Sequence, residues 1–206
     1  MSACKISVIG GGSFGTVIAN ITAENGHDVS FWMRSESQAA DLNRDHENAQ
    51  YLPGYSLSER LVATADMAAA VADSQLIFVA VPSSSFRQVV RDVMKHAAAD
   101  VILISTTKGI EAGSFMLMSQ ILMQEAPEAK VGVLSGPNLA KEIASKYLTG
   151  TVIASNHEEV REIVKNVLKS EFFRVYTNDD MFGVELGGSL KNIYAIIAGM
   201  AAALGM

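Results

Sequence analysis

Apolar stretches of strand length recur along the chain, with segments of helical character between them. The runs Lys5–Ile9, Asp28–Trp32, Leu61–Thr64, Leu76–Val81, Val101–Ser105 and Lys130–Leu134 are expected as strands. Leu76-Ile77-Phe78-Val79-Ala80-Val81 has no polar face, as a strand covered by helices on both sides requires. Alternating β and α segments joined by right-handed crossovers predict an α/β fold with a doubly wound, mostly parallel Rossmann-type sheet. Thr151–Ser155 and Phe173–Thr177 bracket a helix whose polar face runs from Glu158 to Lys169, and they are expected to extend the sheet. At Asn178-Asp179-Asp180 the texture changes: a capping signal opens a helix, and Ile193 to Met206 carry almost no polar residue. The expected division is therefore 1–178 for the sheet domain and 179–206 for the start of an all-α domain that reads as cut short. The alternative is a terminal helix docked on its own sheet.

The first strand runs straight into Gly10-Gly11-Gly12-Ser13-Phe14-Gly15, a G-x-G-x-x-G turn, and Thr16 to Ile21 open a helix behind it. In that context Gly10 permits a tight turn, Gly12 lets a pyrophosphate approach bare backbone, and Gly15 allows the helix to pack closely on the strand. The free N–H groups at the start of the helix then face the anion. Ligands of such sheets sit at the carboxyl ends of the strands. Polar residues collect there: Ser13, Arg34, Ser83-Ser84-Ser85, Lys108 and Ser135-Gly136-Pro137-Asn138. The end of the second strand chooses between dinucleotides, because an acid suits the ribose of NAD and a cation suits the 2′-phosphate of NADP. Arg34, with the Ser35 hydroxyl beside it, favours NADP, while Glu36 keeps NAD open.

Composition narrows the picture. With 49% apolar and 18% charged residues the chain is not disordered, and a net charge of −6 with no basic stripe argues against nucleic acid as a partner. Cys4 is the lone cysteine, so no internal disulfide forms; the usage suits a reducing cytoplasm, and Cys4 reads as an inert strand residue. No hydrophobic targeting segment precedes the first strand. Ile193 to Met206 is too short to cross ~30 Å of hydrocarbon and is expected as a buried packing helix. His27, His46, His96 and His157 lie at no ligand-like spacing, and no metal site is expected. Lys191 is the second informative position, set in an apolar stretch after Gly187-Gly188 and before Asn192. A lysine there serves as a buried ion pair, a snorkelling surface group or a proton donor; desolvation, if present, lowers its pKa toward the third use.

Four ordered motifs carry a resemblance: the glycine loop, Thr107-Lys108-Gly109-Ile110-Glu111, Ser135-Gly136-Pro137-Asn138-Leu139-Ala140-Lys141-Glu142 and Gly187-Gly188-Ser189-Leu190-Lys191-Asn192. Together they resemble the bacterial NAD(P)-dependent glycerol-3-phosphate dehydrogenases. The resemblance implies hydride transfer between NADPH or NADH and dihydroxyacetone phosphate, giving sn-glycerol 3-phosphate for glycerophospholipid synthesis. It implies that Lys191 is catalytic, moving a proton to and from the carbonyl oxygen, with Asn192 beside it. It implies Lys108, Gly136 and Asn138 as substrate contacts. Gly10, Gly12, Ser13, Phe14, Gly15, Arg34, Lys108 and Ala140 are the implied cofactor contacts. Family members continue into a helical domain whose Asp and Arg-Asn groups grip the substrate. Without that anchoring the 206-residue chain is expected to bind cofactor but turn over poorly. The apolar Ile193–Met206 face is expected to promote self-association, with a homodimer as its form. Two alternatives stand beside this reading. A β-hydroxyacid dehydrogenase would show Lys-x-x-Asn-Asn where this chain has Lys191-Asn192-Ile193-Tyr194. A non-catalytic nucleotide-binding module would keep the dinucleotide domain and lose its catalytic half.

Overall fold

Every strand-length run named above becomes part of one sheet in the computed structural model, which describes residues 5–205. Cys4, read as a strand residue, and Met206 lie outside the described residues. In chain order the elements are β1 (Ile6–Ile9), α1 (Ser13–Glu24), β2 (Val29–Trp32), α2 (Glu36–Asp45), β3 (Glu47–Asn48), β4 (Leu52–Ser56), β5 (Leu61–Thr64), α3 (Met67–Val71) and β6 (Leu76–Val79). Then come α4 (Ser83–Met94), β7 (Ile102–Ser105), α5 (Met118–Glu125), β8 (Lys130–Ser135), α6 (Ala140–Ala144), β9 (Thr149–Ala154), α7 (Glu158–Leu168), β10 (Phe173–Asn178) and α8 (Met181–Ala203).

The eight-stranded sheet has the order β10-β9-β8-β7-β6-β1-β2-β5. From β5 to β8 all pairs are parallel, and the order reverses between β1 and β6, which makes their carboxyl ends the switch point where α/β sheets open a crevice. All four residues of β1 and of β6 are buried, because helices cover both faces. One core packs Phe31, Leu168 and Phe173 on one side of the sheet, and a second packs Ile77, Phe86 and Val90 on the other. Helix α4 shows why: Phe86, Val90 and Val93 recur at helical spacing and bury one stripe, leaving its Ser, Arg, Gln and Asp residues outward.

Two features were not expected. Residues 47–56 form a small antiparallel hairpin of β3 and β4, in a stretch with no hydrophobic period. And β9 runs antiparallel to β8, with β10 parallel to β9, so the sheet's last two strands point the other way. That reversal matters. The carboxyl end of β10 lies at the rim opposite the crevice, so α8, capped by Asp180 (Oδ1 accepts from the Gly183 N–H at 2.8 Å), starts there and climbs along β8. Gly188 thus arrives beside Ser135 at the carboxyl end of β8.

Beyond that point α8 differs from the expected packing helix. Residues 191–200 are exposed, including Ile193, Tyr194, Ile196, Ile197 and Met200, and only Met181 and Glu185 of α8 are buried. Helix length and apolar content alone do not bury a face; a facing element has to meet it. Among the described residues no helix is long and apolar enough to cross a membrane.

Candidate active site at the carboxyl ends of the strands

The glycine turn leaves β1 with Gly10 at φ +124°, a conformation that disfavours any side chain, and a Cβ there would fall 2.3 Å from the Ala80 carbonyl oxygen. A Cβ on Gly15 would fall 2.0 Å from the Gly10 carbonyl oxygen, so α1 seats directly on the turn. Gly12 is different: nothing lies within 4 Å of its Cβ position, and no side chain caps α1 there. The first N–H groups of α1 have no intrahelical partners and open on that space.

The turn's carbonyls are held from behind. Gln38 Nε2 and Asn48 Nδ2 both donate to the Gly11 carbonyl at 3.0 Å, and Thr16 Oγ1 donates to that of Gly12 at 2.8 Å. Asn48 Nδ2 also reaches Thr16 Oγ1 at 2.8 Å, while Ser13 Oγ donates to the Tyr51 carbonyl at 2.6 Å. With its C=O groups engaged on one side, the loop offers its N–H groups on the other, the arrangement that holds a phosphate. Asn48, Tyr51 and the hairpin that brings them here were missed in the sequence, because a polar loop residue two strands away carries no periodic signal.

Across the crevice, Thr106 Oγ1 and Thr107 Oγ1 tie the loop after β7 to the Val79 and Val81 carbonyls at 3.1 and 2.7 Å. This aims Lys108, whose Nζ donates to the Gly136 carbonyl at 3.0 Å. The side chain is largely exposed, yet its ammonium is drawn in against protein. Lost solvation first, and the neighbouring Lys191 ammonium second, push the Lys108 pKa below that of an ordinary lysine. Lys191 itself is exposed on α8. Gly188 permits the approach of α8, since a Cβ there would lie 2.3 Å from Ser135 Oγ; Gly187 faces open space and has no such part. The Gly109 N–H donates to Ser189 Oγ at 3.1 Å, fastening α8 to the lysine loop.

Glu111, at the end of the Thr107–Glu111 motif, lies outside the crevice. Arg87 on α4 grips it with two hydrogen bonds of 2.8 and 2.7 Å, and Arg87 also pairs with Glu125. This ion pair anchors the lysine loop and holds the Glu111 carboxyl near a pKa of about 2, below the usual 4.5. A carboxyl depressed in the folded state stabilises it above pH 4.5, and that contribution disappears as pH falls through about 2. The gap in unfolding midpoint between the parent and Glu111→Gln is therefore expected to be full above pH 4.5 and to close toward about 2 in pH-dependent denaturation.

Ser13, Phe14, Lys108, Gly136, Asn138 and Ala140 line one cleft of about 300 Å³. Within it Asn138 Nδ2 donates to Thr151 Oγ1 at 2.9 Å, and that hydroxyl donates to the Ser135 carbonyl at 3.2 Å. Asn138 Oδ1 is buried with no hydrogen-bond partner among the described residues. Arg34 stands apart from the cleft at the end of β2, exposed and free of any ion pair among the described residues. Ser35 beside it caps α2, accepting from the Gln38 N–H at 3.2 Å, and Glu36 is the first residue of α2. Asn192 is exposed on α8 and does not line the cleft.

Residues 5–161 match the family model of the NAD-dependent glycerol-3-phosphate dehydrogenase N-terminus, and residues 180–206 match that of the C-terminus. The chain is 55% identical over 201 residues to a glycerol-3-phosphate dehydrogenase (NAD(P)+) of Teredinibacter turnerae, covering 98% of this chain and 59% of that relative. It is 54% identical to the protein of the same name from Saccharophagus degradans, covering 97% of this chain and 56% of the relative. A crystal structure of glycerol-3-phosphate dehydrogenase from Coxiella burnetii superposes with a TM-score of 0.90 at 34% identity, over 98% of this chain and 62% of that one. The Plasmodium falciparum enzyme gives 0.92 at 26% identity, over 99% and 60%. The chain thus spans well under two thirds of the length of these relatives, and it belongs to the NAD-dependent glycerol-3-phosphate dehydrogenase family.

Proposed function

We propose that this chain carries the coenzyme-binding part and the catalytic lysine of an oxidoreductase that interconverts dihydroxyacetone phosphate and sn-glycerol 3-phosphate, in the cytoplasm, for glycerophospholipid synthesis. The observation that carries it is the glycine turn, whose carbonyls are tied back by Gln38, Asn48 and Thr16 beside a cleft holding Lys108 and the unpartnered Asn138 Oδ1. That donor set fits a dinucleotide: Gly10, Gly12, Ser13, Phe14 and Gly15 receive the pyrophosphate, and Ala140 and Lys108 border the nicotinamide end. When bound, the nicotinamide coenzyme supplies or accepts the hydride.

In this reading the chain's own residues do the rest. Lys191 gives a proton to the carbonyl oxygen as the substrate is reduced and takes it back in the reverse direction. Lys108, next to it, stabilises the negative charge that develops on that oxygen. Gly136, Asn138 and Asn192 orient the substrate. The division into 1–178 and 179–206 is supported by the start of α8 at Met181 and by the C-terminal family match beginning at 180. A homodimer through the exposed apolar face of α8 is part of the same proposal, supported by Ile193, Ile196, Ile197 and Met200.

Arg34 sets the coenzyme preference toward NADP. NADPH and NADH titrations, followed by nicotinamide fluorescence, test this and the glycine turn together. NADPH is expected to bind the parent more tightly. Arg34→Ala is expected to weaken NADPH about 10- to 100-fold while leaving NADH within about twofold, the scale of a charge-assisted hydrogen bond of about 1.5–3 kcal/mol. Failure of the parent to bind either coenzyme removes the proposal. Equal weakening of both by Arg34→Ala removes only the NADP preference.

A further inference from the structure

Glu185 is a carboxylate buried to 5% exposure, and no cation among the described residues pairs with it. Its partners belong to the start of α5. The Ser119 N–H donates to Oε1 at 3.0 Å, the Ser119 hydroxyl donates to Oε2, and the Met118 N–H contributes a third bond. These are the first two residues of α5, where the helix dipole and unpaired N–H groups favour an anion. Burial still pushes this carboxyl above the usual range. An apolar residue at 185 would pack against Met118 without that cost. What the acid adds is direction, because its two oxygens fix α8 in rotation as well as in position.

The rest of the seam continues that direction. Glu185, Gly188, Ser189 and Asn192 are three, four and seven residues apart and share one face of α8. Gly188 rests on Ser135, Ser189 accepts from the Gly109 N–H, and Lys191 follows Gly188 by one turn. Met181 and Glu185 are the only buried residues of α8, and residues 191–200 are exposed.

We propose that Glu185 is a positioning residue, locking α8 onto the start of α5 in the rotation that sets the Lys191 ammonium beside Lys108. This rests on the reading of Lys191 given above. The two lysines supply their own reporter, since Lys191 is one cause of the lowered Lys108 titration.

The test is ¹³C NMR of the chain with dimethylated lysines, following Lys108 against pH in the parent, Glu185→Ala, Glu185→Gln, Ser119→Ala and Lys191→Met. Lys191→Met is expected to raise the Lys108 pKa by removing a like charge. Glu185→Ala raises it by up to the same amount, Ser119→Ala raises it less, and Glu185→Gln, which keeps an acceptor for the Ser119 N–H, returns most of the parent value. NADPH affinity stays within twofold of the parent in the Glu185 and Ser119 variants. An unchanged Lys108 pKa in Glu185→Ala alongside a shift in Lys191→Met overturns the proposal. If Glu185→Ala does not fold, an unchanged value in Ser119→Ala does so instead. No shift in Lys191→Met overturns it as well, since the lysines are then not neighbours. A parent that fails to bind NADPH defeats the proposed function but leaves the Lys108 comparison intact.

Discussion

Gly12→Val is expected to fold like the parent and to bind NADPH at least about 100-fold more weakly, because several N–H to phosphate hydrogen bonds of about 1.5–3 kcal/mol each are lost together. The backbone at Gly12 is extended (φ −81°, ψ 177°), a conformation any residue adopts, and its Cβ position is empty to 4 Å. Losing glycine at the start of α1 costs about 1 kcal/mol. The new side chain fills the space that the turn's N–H groups face. Gly10→Ala provides the contrast: its methyl meets the Ala80 carbonyl at 2.3 Å from a backbone at φ +124°, and it is expected to destabilise the fold by about 3 kcal/mol or more. Thermal unfolding beside a fluorescence titration separates the two. NADPH binding of parental strength in Gly12→Val would mean that the anion sits elsewhere.

Lys191→Ala is expected to lower kcat for dihydroxyacetone phosphate reduction by about 10²- to 10⁴-fold, the range of general acid catalysis, while NADPH affinity stays within about twofold. This chain covers 59% of its Teredinibacter turnerae relative, so the assay belongs on the polypeptide continued to the relatives' length. Retained turnover in the variant would pass the proton to another group, and Lys108 would be the first to examine. A joint loss of turnover and coenzyme binding would instead give Lys191 a part in holding the coenzyme.

The sheet was legible because its evidence is local. Each strand of the parallel core is a run of apolar residues, and the glycine turn sits at the end of the first with the spacing that the switch point demands. The start of α8 was legible for the same reason, since Asp180 caps it as the sequence indicates. The hairpin at residues 47–56 was not, because Asn48 is buried by what it reaches, the Gly11 carbonyl and Thr16, and not by an apolar pattern. Strand direction was also hidden: β9 has the composition of its parallel neighbours, and only its pairing with β8 reveals the reversal. The surroundings of Lys191 were hidden as well, because apolar neighbours in sequence do not stand in for neighbours in space. Lys191 sits among apolar residues that face outward, whereas Lys108 in a polar motif is pressed against Gly136.

The reversed strands give α8 a second property, that of a length gauge. The helix sets out from the far rim, and the count of residues from Met181 to Lys191 decides how high and at what angle the amine emerges. Each added or deleted residue shifts that point by about 1.5 Å and swings it through about 100°. An insertion of one residue therefore mis-sets the amine even when every side chain is retained.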